Sequence, residues 1–585
     1  MSTENMPRAE HPRPQFMREN WINLNGEWEF EIDNGENGMD LHFEKKHLSE
    51  KIVVPFCPES RLSGIGQTDF MNCVWYRRDI TVPKEWKGKN IILHFGAVDY
   101  HAYVYVNGAL AGEHKGGYTS FSFDITNLLT DKENYISVCA IDHIRTHKQP
   151  SGKQSVEFDS HGCFYTRTTG IWQTVWLEAL DKAHIKRAQF YPNLAECSVR
   201  IDPEVSLCAK SLTLRAEASF EGAAMGAAEI VLDGFAPSLT LSLNELHLWE
   251  LGCGRLYDLT LTLLNDGIEV DRVTSYFGMR SVDLTDRAFR LNGKTVFGRW
   301  VLDQGFYPDG IYTAPTDEAL KNDILYSMQL GFNGARLHEK VFEERFLYWA
   351  DKLGYMVWGE HANWGFDFLS MNDLNCFLPE WTESVRRDFN HPAIIGWCPF
   401  NETWNVDDIY PQTQEGVNTV YHVTKALDNT RPVIDTSGNY HSGATDIFDV
   451  HDYEQDPAVF KENYAHADEG IVNDQVARSA HKNMQTYRGE PLFVSEYGGI
   501  GWVVNRKEDD SWGYGNMPKT EEEFIARYKG LTEALLDNKN VLGFCYTQLY
   551  DVEQETNGLM TYDRKFKFDP EIFKKINEQK AAIEE

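Results

Sequence analysis

The feature that most constrains this chain is a change of hydrophobic period near residue 289. Before it, apolar and polar residues alternate in short runs such as Val74-Trp-Tyr-Arg-Arg-Asp-Ile-Thr-Val, His101-Ala-Tyr-Val-Tyr-Val and Trp172-Gln-Thr-Val-Trp-Leu, with turn pairs Asn107-Gly and Gly116-Gly between. Period two with such turns means antiparallel sheets. After Phe289-Arg-Leu-Asn-Gly-Lys, continuous apolar runs alternate with stretches in which apolar residues recur at three and four, the pattern of buried parallel strands and covering helices.

Three units follow. Residues 1–182 read as a β-sandwich of the jelly-roll kind, and 183–281, with Leu212-Thr-Leu-Arg-Ala-Glu-Ala and Tyr257-Asp-Leu-Thr-Leu-Thr-Leu, as an immunoglobulin-like β-sandwich. Residues 282–585 hold eight apolar runs: Val296–Leu302, Gly334–His338, Met356–Glu360, Ile394–Phe400, Pro432–Thr436, Ile447–His451, Pro491–Glu496 and Val541–Tyr546. Helix-like segments separate them, among them Thr316–Leu325, opened by a capping Thr, and Phe342–Lys352. Eight strands and their helices in about three hundred residues make a (β/α)8 TIM barrel.

Charge narrows the partners. The chain of 585 residues has a formal net charge of −33 and no basic cluster, which excludes nucleic acid and anionic membrane as expected partners. No segment reaches eighteen uninterrupted apolar residues, and Met1-Ser-Thr-Glu-Asn-Met-Pro lacks the apolar stretch of a secretory signal. Ten scattered cysteines without a C-x-x-C pair suit buried thiols. A cytoplasmic protein is expected, with a homo-oligomer left open.

In such a barrel the active site lies at the carboxyl ends of the strands. Glu402 follows Ile394-Ile-Gly-Trp-Cys-Pro-Phe-Asn, ending the fourth run, and Glu496 follows Pro491-Leu-Phe-Val-Ser, ending the seventh. Two carboxylates across a barrel mouth suit glycoside cleavage: one protonates the leaving oxygen while the other attacks the anomeric carbon or activates water. Glu490 precedes its run and belongs to the far, structural end, whereas Glu360 ends the third run at the correct face and is a supporting candidate. Asp303 and Gln304 end the first run, Arg336 and His338 the second, and Tyr453 the sixth. Trp364 and Trp502, just beyond strand ends, are candidate platforms for the apolar face of a sugar.

The strings Gly396-Trp-Cys-Pro-Phe-Asn-Glu-Thr-Trp, Phe493-Val-Ser-Glu-Tyr-Gly-Gly and Tyr546-Thr-Gln-Leu-Tyr-Asp-Val-Glu-Gln-Glu-Thr-Asn-Gly-Leu, with the barrel entry Phe289-Arg-Leu-Asn-Gly-Lys, together resemble glycoside hydrolase family 2. The order of sandwich, immunoglobulin-like unit and barrel is similar too. The resemblance implies a retaining, double-displacement exo-β-glycosidase with Glu402 as general acid and base and Glu496 as nucleophile. It also implies that Asn401 contacts the substrate 2-hydroxyl and that Tyr453 sits near the nucleophile.

Departures from the family pattern bear on substrate. The uronate-specific branch carries Asn-x-Lys after the eighth strand, where this chain has Asn557-Gly-Leu, so a glucuronidase is disfavoured. Metal-assisted β-galactosidases carry Glu-x-His after the third strand; here the sequence is Glu360-His-Ala-Asn-Trp-Gly, and neither a metal nor another cofactor is expected. The matched sandwich position that supplies an acid in some relatives is Phe164, with Asp159 the nearest acid. The default is a β-galactosidase acting on a carbohydrate substrate; the alternatives are a β-hexuronidase of galacturonide type or a β-mannosidase. A carbohydrate-binding protein without catalysis is the alternative from another class, and retention of both Glu402 and Glu496 argues against it.

Overall fold

A computed structural model describes residues 6–234, 236–368, 370–403, 413–438, 441–472, 487–504 and 511–584. The first β-unit is a sandwich. Its four-stranded sheet runs Trp21–Asn23, Val175–Leu180, Asn90–Phe95, Phe121–Asp124, and its six-stranded sheet Glu50–Val54, Gly26–Ile32, Cys73–Ile80, Asn134–Ile141, His101–Val106, Ala109–Lys115. Alternation decides the faces: in His101–Val106 every second residue is buried, and Phe30, Tyr76, Leu93, Val104 and Val138 meet between the sheets.

The second β-unit pairs a three-stranded sheet (Ile185–Asn193, Ser198–Val205, Leu239–Ser242) with a four-stranded one (Ala223–Val231, Leu212–Phe220, Tyr257–Asn265, Ile268–Phe277). Leu214, Leu241, Leu261 and Val273 form its core. A small meander over Val282–Thr285, Ala288–Leu291 and Lys294–Thr295 then leads into the barrel.

Seven parallel strands build the barrel ladder, in the spatial order Ile394–Cys398, Met356–Glu360, Gly334–Leu337, Gly298–Asp303, Val541–Thr547, Leu492–Gly498, Phe448–Asp452. First and last strands in sequence pair through Trp300 and Cys545, which is how the sheet curls into a barrel. The expected strand at Pro432–Thr436 joins only by isolated bridges, Trp397 to Val433 and Asn401 to Ser437. Pro432 has no N–H to give, and the N–H groups of Val433 and Asp435 go to the side chains of Asp446 and Thr445 instead of a neighbouring strand.

Tryptophans fill the barrel interior. Trp300, Trp358 and Phe493 contact one another with ring centroids 5.0 to 6.0 Å apart. Their bulk is admitted by glycines: a Cβ on Gly298 would sit 1.8 Å from Trp300, and one on Gly396 2.0 Å from Trp358. The helices Asp317–Gln329 and Glu344–Leu353 form where the sequence places them, the first capped by Thr316, whose side chain accepts from the Ala319 N–H. Among the described residues no helix is long and apolar enough to cross a membrane. All ten cysteines are free thiols, but only Cys57, Cys73, Cys139, Cys398 and Cys545 are buried, half the number the sequence reading expected.

Candidate active site

Three side chains converge at the carboxyl ends of the strands: Glu402, His451 and Glu496 each bring one oxygen or nitrogen within 4.8 Å of the others. His451 Nδ1 lies 2.7 Å from Glu402 Oε1 and 3.3 Å from Glu496 Oε2. Glu402 stands four residues past its strand with φ of 48°, a left-handed conformation that costs a residue with a Cβ about 1 kcal/mol or more. The main chain fixes it there, because the Glu402 N–H donates to the Ser437 carbonyl at 2.7 Å. Glu496 lies inside its strand, Leu492–Gly498, rather than after it.

Arg336, only 1 % exposed, organises the floor. It donates from Nη1 to Glu496 Oε1 at 3.0 Å, from Nη2 to Asn401 Oδ1 at 2.7 Å, and from Nε to Glu360. Tyr453 donates its hydroxyl to Glu496 Oε2 at 2.5 Å. Burial alone would raise the Glu496 carboxyl, but the adjoining His451 and Arg336 cations outweigh it and hold Glu496 well below the usual carboxylate range. For His451 burial also disfavours charge, and the Glu496 and Glu402 carboxylates overcome it, raising the ring above its ordinary value. His338, with Nδ1 3.3 Å from Glu360 Oε2, is pushed far down by burial and by the Lys153 and Arg336 cations.

Asn401 meets this cluster with one end satisfied and one end open. Its Oδ1 is held by Arg336, while its buried Nδ2 has no hydrogen-bond partner among the described residues. A buried amide donor without a partner costs on the order of 1 to 3 kcal/mol, which a ligand hydroxyl would recover.

Other candidates are spent elsewhere. Asp303 accepts from the Tyr550 hydroxyl and from the Gly305 N–H at 2.9 Å, so the structure ties it into the barrel wall and does not bring it to the cluster. Trp502 packs on Phe524 and Phe568, ring centroids 6.1 and 5.5 Å away, against the helix Glu521–Leu536; its place after the strand sends it outward over that helix. Glu360 is locked to Arg336 and to the Glu339 N–H. Trp364 does border the site, donating from its indole to the Asn401 carbonyl at 3.2 Å. Trp404 of the sequence motif lies outside the described residues.

Two residues were missed by the sequence reading. His451 closes the sixth apolar run, as the strand-end criterion asks, and Tyr453 lies two residues beyond it. Lys153 comes from the first sandwich, where no periodic pattern marks it: Ser151 and Gly152 donate backbone hydrogen bonds to the Trp364 carbonyl, and Lys153 Nζ then lies 3.7 Å from the centroid of the Trp364 ring. Lys153 is 7 % exposed; burial opposes its charge, and Cys163 with the Glu402, Glu555 and Glu496 carboxylates outweighs it and raises the ammonium. Phe164 touches Trp364 at 5.2 Å and Tyr165 donates to Glu555, so the sandwich loop does reach the barrel mouth, while Asp159 is exposed.

Residues 22–177 match the family model described as "Glycosyl hydrolases family 2, sugar binding domain", 183–280 that of "Glycosyl hydrolases family 2", and 282–502 that of "Glycosyl hydrolases family 2, TIM barrel domain". A β-galactosidase of Thermoanaerobacter pseudethanolicus is 26% identical over 423 residues, 70% of this chain, which spans only 55% of that relative's length. A β-glucuronidase of Canis lupus familiaris is 26% identical over 533 residues, covering 83% of this chain and 79% of the relative. The structure of a β-glucuronidase from Ruminococcus gnavus in complex with N1-substituted uronic isofagomine superposes with a TM-score of 0.80 at 19% identity, over 98% of this chain and 100% of the other. With three models of one family matched in order along the chain, the protein belongs to glycosyl hydrolase family 2 and is an enzyme of that family.

Proposed function

We propose that the chain is a retaining exo-β-glycosidase in which Glu496 attacks the anomeric carbon and Glu402 serves as acid and then base. The observation that carries this reading is the short bridge from Glu402 through His451 to Glu496, with side-chain atoms inside 4.8 Å. Retention wants carboxyls about 5 to 5.5 Å apart, whereas inversion needs about 6.5 to 9.5 Å to admit a water. The division of labour follows from the surroundings. Glu496 is kept ionised by two cations, as a nucleophile requires, and the Glu402 side chain is the more open of the two at 14% exposure against 5%, as suits a group that meets the leaving oxygen and later water. Asn401 Nδ2, without a partner among the described residues, would take the 2-hydroxyl, a contact that strengthens as positive charge develops on the ring.

For the sugar we read a terminal β-glucuronide or related hexuronide, which reverses the preference drawn from Asn557-Gly-Leu. Support comes from the relatives, most of them β-glucuronidases, and from Lys153, a buried ammonium beside both carboxylates that could meet a uronate by a route other than the missing Asn-x-Lys. A neutral β-galactoside is the second reading. It is favoured by the Thermoanaerobacter relative and by Glu555, a buried carboxylate close enough to Lys153 to feel its charge.

A panel of nitrophenyl β-glucuronide, β-galacturonide, β-galactoside and β-mannoside separates them. The hexuronide reading expects kcat/KM on a uronide to exceed that on the galactoside by at least about a hundredfold; the reverse ratio overturns it.

A further inference from the structure

The described groups around His451 constrain the state of its ring. Ser437 has one hydroxyl proton to give. Its Oγ is 2.8 Å from Asp449 Oδ2, a carboxylate that also takes the Ser495 hydroxyl. Behind Asp449 stands His441, whose Nε2 is 3.2 Å from Asp449 Oδ1 and whose Nδ1 is 2.7 Å from Asp435 Oδ1. The Ser437 proton therefore points at Asp449, and toward His451 Nε2, 2.9 Å away, the hydroxyl presents a lone pair. With the Ser437 oxygen nearer to Nε2 than the Arg336 Nη1 donor, 2.9 against 3.4 Å, the arrangement favours a proton on Nε2.

The other ring nitrogen faces Glu402 Oε1 at 2.7 Å and Glu496 Oε2 at 3.3 Å. A bare Nδ1 between two ionised carboxylates would be repelled by both, so a second proton lies in the Glu402–His451 contact. We propose that His451 is a positioning residue that shares the acid proton of Glu402 and couples its possession to the charge on Glu496. The inference rests on the two-glutamate reading above.

The cycle balances with that one proton. In the free enzyme the Glu496 anion favours keeping it on the Glu402–His451 pair. In the first step Glu402 gives it to the glycosidic oxygen as the bond from C1 to that oxygen breaks, and Glu496 bonds C1 and loses its charge. With the anion gone the pair's proton affinity falls, and Glu402 stays unprotonated until water attacks C1. Glu402 then takes the water's proton and Glu496 leaves as a carboxylate, which restores the starting charge.

Other described groups also bear on its titration. Arg336 Nη1 stands 3.4 Å from Nε2 and opposes the second proton, while Glu360 and His338 act at longer range. Gly438 backs the imidazole so closely that a Cβ there would sit 2.8 Å from its Cε1.

The test is the pH dependence of kcat/KM for His451→Asn and Ser437→Ala, on whichever nitrophenyl glycoside of the panel the wild type turns over fastest. The basic limb reports loss of the acid proton. His451→Asn should move that limb to lower pH by at least about one unit, a tenfold further loss on its basic side, and Ser437→Ala should move it the same way by less. A limb left in place by both variants, with rates lowered evenly at every pH, would reduce His451 to a space-filling role and overturn the inference. Should His451→Asn not fold, Ser437→Ala alone decides by the same criterion. A 2-fluoro glycoside that labels Glu496 while the limb stays put overturns only the role of His451; a failure to label Glu496 overturns the reading beneath it.

Discussion

Arg336 and Glu496 form a fully buried ion pair, Nη1 to Oε1 at 3.0 Å, and the same guanidinium reaches Asn401 and Glu360. One side chain thereby sets the proposed nucleophile, the Asn401 amide and the carboxylate of the third strand.

Replacing Arg336 with Met should cost both fold and function. Two buried carboxylates lose their partner, which destabilises by about 3 to 5 kcal/mol, and Glu496 rises toward protonation. Thermal melting and turnover measured together on Arg336→Met should both fall sharply; a variant melting with the wild type and retaining its kcat/KM would remove Arg336 from this account.

Glu402→Gln should discriminate by leaving group. General acid help is worth about a hundred- to ten-thousandfold, so a dinitrophenyl glycoside, which leaves unaided, should still glycosylate the variant while a disaccharide is nearly inert. Equal losses on the two substrates would count against Glu402 as the acid.

His441 gives a pH dependence of stability. Buried between Asp435 and Asp449, it is raised to about 9 because those carboxylates outweigh desolvation. The folded state then binds its proton more tightly than the unfolded chain, so the contribution is complete below about pH 6.5 and is lost as pH climbs through 9. The melting temperature of the wild type should fall across that window, and His441→Gln should flatten the slope. An unchanged slope in the variant would show that other groups cause the fall.

No metal is needed for this chemistry, and the stretch after the third strand is poorly set to hold one. Glu360 is already bound by Arg336, and the His361 ring turns away to Glu380, Nε2 3.5 Å from its carboxylate, among Phe377 and Trp381. Dialysis against a strong chelator should leave kcat/KM unchanged; activity lost and then restored by magnesium would reveal a site on other loops.

The sequence legible to simple patterning was mostly that of the barrel. Glu360 and Glu496 close apolar runs and Arg336 lies within one, so strand periodicity carries the reader to them, whereas Asn401 enters through the family resemblance. What failed to show was contact between units. Lys153 reaches the site because a sandwich loop lies on Trp364, a pairing without any local signal, and a strand end says nothing about which neighbours capture the side chains of Asp303 and Trp502. Pro432–Thr436 reads as a strand by apolarity alone, yet Asp446 and Thr445 satisfy its backbone from the side.

The most direct measurement of the central claim is trapping with a 2-fluoro β-glycoside of the preferred sugar, followed by peptide mass analysis. The account predicts one sugar mass added to the peptide that contains Glu496, with loss of activity in step with labelling. A label on Glu402 or Glu360, or inactivation without a covalent adduct, would contradict it.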